Sequence, residues 1–114
     1  MSSITIKKGE AKVIAFLIKR NGEPLDMSEM SPAFKWAVKN EREDSTYLLE
    51  KKDVDFDKAD IINGYAKINI KVSDTDSIPE GTYLSELKTT LDANVDIDKS
   101  EIIEFTLEKS VIHN

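Results

Sequence analysis

The sequence predicts an all-β protein, a β-sandwich of about seven antiparallel strands with one short helical turn near residues 73–78. Residues 66–72 alternate apolar and polar side chains without interruption, which is typical of a strand with one buried face. Ser73 and Asp76 then have the spacing of a capping box, so one helical turn is expected there. Pro79 ends that turn and returns the chain to an extended conformation. A strand, a helical corner and a second strand carry the chain from one sheet of a sandwich to the other.

The first half of the chain predicts four strands. Residues 4–7 form the first, and residues 11–18 form the second, which is apolar at nearly every position. Such a strand is expected to have both faces covered, one by the core and one by a neighbouring segment or subunit. A corner at residues 25–30 packs apolar side chains under the edge of the sandwich. Residues 34–39 alternate with an aromatic inner face, and residues 47–51 make the fourth strand.

The second half predicts three strands. Val54 and Phe56 are expected to extend the fourth strand, and an Asn-Gly turn then leads into the strand at 65–72. Residues 83–88 and residues 103–107 alternate in the same way. The inward positions of these runs and of the third strand predict the structural core: Phe34, Trp36, Val38, Ile68, Ile70, Tyr83, Leu87 and Phe105. The Tyr83 hydroxyl is expected to bond to backbone near the helical corner.

Composition indicates one soluble domain spanning residues 1–114. The net charge is −6, which disfavours binding to nucleic acid and to anionic membranes. There is no cysteine, so a thiolate nucleophile, a thiolate metal site and disulfides are excluded. The first residues lack the long apolar centre of a signal peptide, and the longest apolar run is too short to span a bilayer. We therefore expect synthesis in the cytoplasm.

No catalytic, cofactor or metal site is predicted. The one histidine, His113, lies beside the C-terminus, and no nucleophile–base set or glycine-rich phosphate loop surrounds it. Two acidic runs, at 53–60 and 92–98, carry oxygen ligands but place residues other than glycine at the sharp turn of a calcium loop. An acidic surface that discourages edge-to-edge pairing is the better interpretation of both runs. Trp36 is in register with its buried neighbours, so a core position is favoured over a sugar-stacking surface.

The order of the turn motifs resembles a known family. The motifs are a K-x-G-[DE] turn at 7–10, a G-x-P-[VL]-D-[LM]-[ST] corner at 22–28 and an F-x-[VW]-x-[VI]-K strand at 34–39. An N-G turn and its alternating strand follow at 63–72, and a D-T-x-x-[LI]-P-x-G-x-Y corner follows at 74–83. This pattern is similar to the N-terminal immunoglobulin-like module of the phage baseplate upper protein.

The resemblance runs from Ile4 to Leu107 and implies an immunoglobulin-like fold. It also implies a non-enzymatic virion protein of a tailed phage, a connector or docking module of the tail or baseplate. Capsid decoration is the second interpretation, and a carbohydrate-binding adhesion module is the third. The implied partners are other virion proteins, joined in multiple copies or as a homo-oligomer, and the implied location is the virion.

The second strand is the candidate interface. It has more apolar side chains than one core face can use, which predicts burial against a partner. The residues expected at that interface are Val13, Ile14, Phe16 and Ile18.

Overall fold

The computed structural model describes residues 3–30, 32–40, 47–90 and 98–109. The strands in these ranges are β1 (Ser3–Lys7), β2 (Lys12–Leu17), β3 (Lys19–Arg20), β4 (Glu23–Pro24), β5 (Ala33–Lys39), β6 (Leu49–Lys51), β7 (Tyr65–Ile70), β8 (Gly81–Thr90) and β9 (Asp98–Glu108). Helix α1 (Val72–Thr75) is a single turn, and 3₁₀ turns occupy Asp53–Asp55 and Ile61–Asn63. Each of the seven strands predicted from the sequence has a counterpart here.

The strands form two layers. A 5-stranded sheet has the order β1-β9-β8-β5-β6, and a 2-stranded sheet joins β2 to β7. Phe16 of β2 lies against Trp36 of β5 with ring centroids 6.1 Å apart, so the two sheets meet through aromatic side chains. Every residue predicted for the core is buried, and Trp36 at the centre is 0% exposed. The period-2 alternation of β5, β7, β8 and β9 places these side chains between the sheets.

Two features differ from the predicted set of about seven antiparallel strands. The strands β1 and β9 pair in parallel, from Ser3 opposite Glu104 to Lys7 opposite Glu108. They can do so because β1 takes the edge position beside the last strand, and the chain then leaves β1 for the other sheet, where β2 lies. The additional strands β3 and β4 form because Asn21 and Gly22 both have left-handed backbone, with φ of 54° and 80°, and make a tight hairpin.

The helical corner forms two residues earlier than the capping-box spacing predicts, with Lys71 rather than Ser73 at the N-cap. Helix α1 begins at Val72, and the Asp74 carboxylate accepts the Lys71 N–H at 2.8 Å. Asp74, rather than Asp76, therefore stabilises the first turn, because it lies at the third helical position. The Tyr83 hydroxyl donates to the Pro79 carbonyl, as predicted. This tyrosine corner fastens the start of β8 to the chain that leads into it.

The predicted extension of the fourth strand is wrong. Val54 lies in a 3₁₀ turn and is 90% exposed, whereas Phe56 is buried against Phe34 with ring centroids 5.3 Å apart. The Asp53 carboxylate accepts the Phe34 N–H at 2.9 Å, which draws this segment across the end of β5. Residues 41–46, residues 92–97 of the second acidic run and His113 lie outside the described residues.

Candidate interaction surface

The four residues predicted as an interface divide between the two sides of β2. Ile14, Phe16 and Ile18 are buried in the core rather than exposed on the outer face, so that part of the prediction is wrong. The reason is the strand period of two, which turns alternate side chains inward. Val13 is 57% exposed and remains a candidate. The described chain itself leaves the outer side of this strand uncovered, so its expected burial against a neighbouring subunit stays a prediction.

The outer face of β2, which we define as Val13, Ala15 and Leu17, lies on the surface. Val13 and Ala15 are exposed, and Leu17 is half-buried. Cross-strand pairing places Ala15 beside Lys67 and Leu17 beside Tyr65 of β7. The result is a largely apolar strip along one side of the smaller sheet.

The backbone of β2 has an open edge. The Ile18 N–H donates to Gly64 O at 2.7 Å, and antiparallel hydrogen bonds alternate along a strand. The N–H and C=O groups of Ile14 and Phe16 therefore face β7, while those of the outer-face residues point away from it. Among the described residues, β2 pairs with no strand other than β7.

The outer edges of β7 and β6 are covered or carry charge. The far edge of β7 exchanges backbone hydrogen bonds with Asp57 through Lys67, at 2.7 and 3.1 Å. The edge strand β6 is short and includes Glu50 and Lys51. Short length and charge are common protections against edge pairing. After Lys12 at its start, β2 includes neither a charged residue nor a proline.

A groove of about 860 Å³ runs beside the open edge. It lies between the two sheets, with β2 on one side and the starts of β1 and β9 on the other. Its apolar wall consists of Ile4, Ile14, Phe16, Ile18, Leu87 and Ile103. Ser3 and Ser100 contribute hydroxyl groups to its lining, and the buried Thr89 contributes a third. The groove shows that the described chain does not fill the space alongside residues 14–19.

The acidic run at 53–60 makes structural contacts within the protein. Asp53 accepts from the Phe34 N–H and pairs with Lys58 at 2.9 Å. Burial alone would raise the pKa of the Asp53 carboxyl, but the hydrogen bonds from Lys58 and Phe34 hold it below its usual range. Asp55 accepts the Lys52 N–H. Asp57 and Asp60 also accept hydrogen bonds within this segment. In the described ranges, no three acidic or histidine side chains form a group suited to a metal ion.

One ion pair was not predicted from the sequence. Lys51 is 9% exposed, and its ammonium lies 2.8 Å from the Asp74 carboxylate. Burial by itself would raise the pKa of Asp74, but hydrogen bonds from Lys51 and from the Lys71 N–H keep that pKa below its usual range. The pair joins β6 to α1, and its two residues are 23 positions apart in the sequence. No local sequence pattern indicates a contact over that separation.

The aromatic side chains do not form a binding platform. Trp36 lies between Phe16 and Phe105, and its indole N–H has no hydrogen-bond partner within the described residues. Tyr47 is the exposed aromatic residue of the described chain, at 39%. The ammonium groups of Lys35 and Lys39 lie 5.0 and 5.1 Å from its ring centroid. These ammonium groups lie over the Tyr47 ring, on which a sugar would have to stack.

Comparison with known proteins identifies the fold. No protein-family model matches the sequence, and no curated protein matches it either. Among solved structures, the chain is similar to murine CRIg, with a TM-score of 0.50 and 14% identity over 96% of this chain and 94% of that one. The fold is an immunoglobulin-like β-sandwich. Within the described ranges, no helix is long and apolar enough to cross a membrane.

Proposed function

We propose that this protein is a non-enzymatic structural protein of a tailed-phage virion, a β-sandwich connector or docking module of the tail or baseplate. The observation that carries the proposal is β2, whose apolar outer face and open edge are both left uncovered by the described chain. A docking module holds its neighbours through apolar and edge-strand contacts on a rigid core. In this role its partners are other virion proteins in a multi-copy assembly.

The sequence resemblance supplies the phage context. Most of the motifs behind it occupy turns of the structure, with Gly22 in the β3–β4 hairpin and Gly64 between the second 3₁₀ turn and β7. Pro79 and Tyr83 make the corner before β8. Because the motifs are distributed in a fixed order along the whole sandwich rather than in one loop, they support a relationship of the full domain to the phage family.

The use of the polar side chains supports docking over catalysis. Asp53, Asp55 and Asp74 bond to backbone N–H groups and hold segments together. The Ser85 hydroxyl, buried between the sheets, donates to the Ile103 carbonyl. These groups stabilise the shape of the domain.

Capsid decoration is the alternative, because the same surface would dock equally well on a head protein. A carbohydrate-binding module is not favoured, since stacking on sugars requires a row of exposed aromatic rings. Tyr47, with two lysines beside it, does not provide such a row.

The test is to locate the protein in particles of the phage that encodes it. Purified virions are analysed by mass spectrometry and labelled with gold-conjugated antibody for electron microscopy, with particles of a deletion strain as the control. We expect label at the tail or baseplate. Label on the head would assign the protein to capsid decoration. Absence from purified particles would overturn the proposed function.

A further inference from the structure

The open edge of β2 is self-complementary. Within the described residues, the backbone groups of Val13, Ala15 and Leu17 are unpaired, and these residues occupy every second position around a centre at Ala15. If a second copy approaches antiparallel, Ala15 lies opposite Ala15 and Val13 lies opposite Leu17. Each free N–H then meets a free C=O, because paired residues in an antiparallel ladder exchange both hydrogen bonds.

The charges at the two ends agree with this register. With Ala15 at the two-fold axis, Glu10 of one copy lies across from Arg20 of the other, at both ends of the paired strands. Both side chains are exposed. Moving the register by two positions in either direction places Arg20 opposite Lys8 or opposite Lys12 instead. Like charges directly opposite each other destabilise a strand pair, so one register is favoured over both neighbours.

We infer that a second copy of this chain docks on the open edge of β2, with Ala15 at the two-fold axis, and joins the two smaller sheets into one four-stranded sheet, β7-β2-β2-β7. The groove beside the edge leaves room for the second strand. Val13 and Leu17 of opposite copies then form apolar pairs on the outer surface. The inference deepens the proposed function by naming the partner of this surface, and it rests on that function only for its role in assembly.

The dimer is expected to be weak in solution. One strand edge and three small or medium side chains make a smaller contact than the roughly 1,200 Å² that stable complexes bury. The association should therefore depend on concentration. Arrangement of many copies on a particle would raise the effective concentration and favour the pair.

Sedimentation velocity and a charge substitution at the axis test the inference. Over about 10 µM to about 1 mM protein, wild type should shift from monomer to dimer. Ala15→Lys places like charges opposite each other at the axis and should remain monomeric throughout. The control is Asn69→Lys, which adds the same charge on the same outer surface but on β7, away from the open edge, and should dimerise like wild type. Because both side chains are exposed, circular dichroism should show both variants folded.

Cross-linking and charge exchange test the register. The chain has no cysteine, so Ala15→Cys introduces a single thiol in each copy. In the inferred pair the Cα atoms of the two Cys residues would be about 5.5 Å apart, which is within the range for a disulfide. It should form a disulfide dimer at least about tenfold faster than the Asn69→Cys control. Arg20→Glu and Glu10→Arg should each weaken the dimer by at least about threefold, and the double exchange should restore it.

A protein that stays monomeric at every concentration, with equal cross-linking of the two cysteine variants, would overturn the inference. So would a dimer that Ala15→Lys leaves intact. Loss of the dimer on Asn69→Lys would also count against it, because the interface would then lie on the sheet face rather than at the edge. These assays use the isolated protein, so their failure would leave the virion location to be decided by the particle experiment alone.

Discussion

At the scale of single residues, Trp36 is the largest side chain in the core and contacts Phe16 and Phe105 across and within the sheets. Trp36→Ala removes these contacts and leaves a cavity that a rigid sandwich fills only in part. We expect a loss of roughly 3–5 kcal/mol in the free energy of unfolding. Chemical denaturation monitored by circular dichroism measures it. Tyr47→Ala, at an exposed aromatic position, should cost less than about 1 kcal/mol. Equal losses in the two variants would contradict the packing described for Trp36.

Gly64 and Gly9 provide a matched pair for separating backbone strain from crowding. Both have left-handed backbone, with φ of +87° and +83°. A Cβ at Gly64 would lie 2.9 Å from Ile18 O and 3.1 Å from Leu25 N, whereas a Cβ at Gly9 would meet nothing within 4 Å. Alanine at either site carries the left-handed cost of roughly 1–2 kcal/mol. Gly64→Ala should lose about 1–3 kcal/mol more, because backbone must move. Equal unfolding free energies for the two variants would show that the turn before β7 accommodates a Cβ at position 64 without moving backbone.

Asp74 couples stability to acid pH. The pKa of its carboxyl in the folded state lies below its usual range. The contribution of the carboxylate to the free energy of unfolding is therefore complete above the unfolded-state pKa of about 3.9, and it is lost as pH falls through the lower folded-state pKa. Asp74→Asn should therefore destabilise the protein at neutral pH, leaving Lys51 buried without its carboxylate. The same variant should lose less stability than wild type on further acidification. Unfolding free energies between about pH 7 and pH 3 measure both effects. Asp76→Asn, at an exposed carboxylate, should follow the wild-type curve; an Asp74→Asn curve parallel to wild type would contradict the coupling.

At the scale of secondary-structure elements, the tyrosine corner fastens β8 to the chain that follows α1. The Tyr83 hydroxyl donates to Pro79 O, and the ring is buried. Tyr83→Phe keeps the ring and removes the donor, so we expect a loss of about 1–3 kcal/mol from the unpaired carbonyl and the missing bond. Thermal melting measures it. Tyr65→Phe, at a half-buried tyrosine on β7, is the control and should change stability by less than about 0.5 kcal/mol. An unchanged melting temperature for Tyr83→Phe would show that the corner is held by packing alone.

The elements also show how much of the fold is readable in the sequence. The alternation in β5, β7, β8 and β9 reports burial directly, because neighbouring side chains point to opposite faces. It was enough to predict the core. The apolar run of β2 gave no such alternation, so its inner and outer residues could not be separated, and Ile14, Phe16 and Ile18 were wrongly placed at an interface.

Features that depend on distant parts of the chain were not predicted. The parallel pairing of β1 with β9 joins the two ends of the described chain, and the buried pair of Lys51 and Asp74 joins β6 to the helical corner. The 3₁₀ turn at Asp53–Asp55 replaced a predicted strand because the Asp53 carboxylate binds the Phe34 N–H, a contact that local propensity does not encode. The open edge of β2 likewise follows from sheet order and not from composition.

At the scale of the whole molecule, the proposed function assigns docking to β2 of a rigid sandwich. The exposed apolar residues do not all belong to this surface: Val54 and Ile62 are 90% and 56% exposed but lie in the two 3₁₀ turns. They offer a control in which exposed apolar side chains become acidic without touching the outer face of β2. Val13→Glu with Leu17→Glu changes the outer face by the same two charges.

Incorporation of these two double variants into phage particles is the most direct test of docking through β2. Each variant is produced in place of wild type, its fold is checked by circular dichroism, and its amount in purified particles is measured by quantitative mass spectrometry. We predict that Val54→Glu with Ile62→Glu joins particles at the wild-type level. Val13→Glu with Leu17→Glu should fold but stay in the soluble fraction, because acidic side chains replace the apolar strip. Wild-type incorporation of the folded β2 variant would contradict the account.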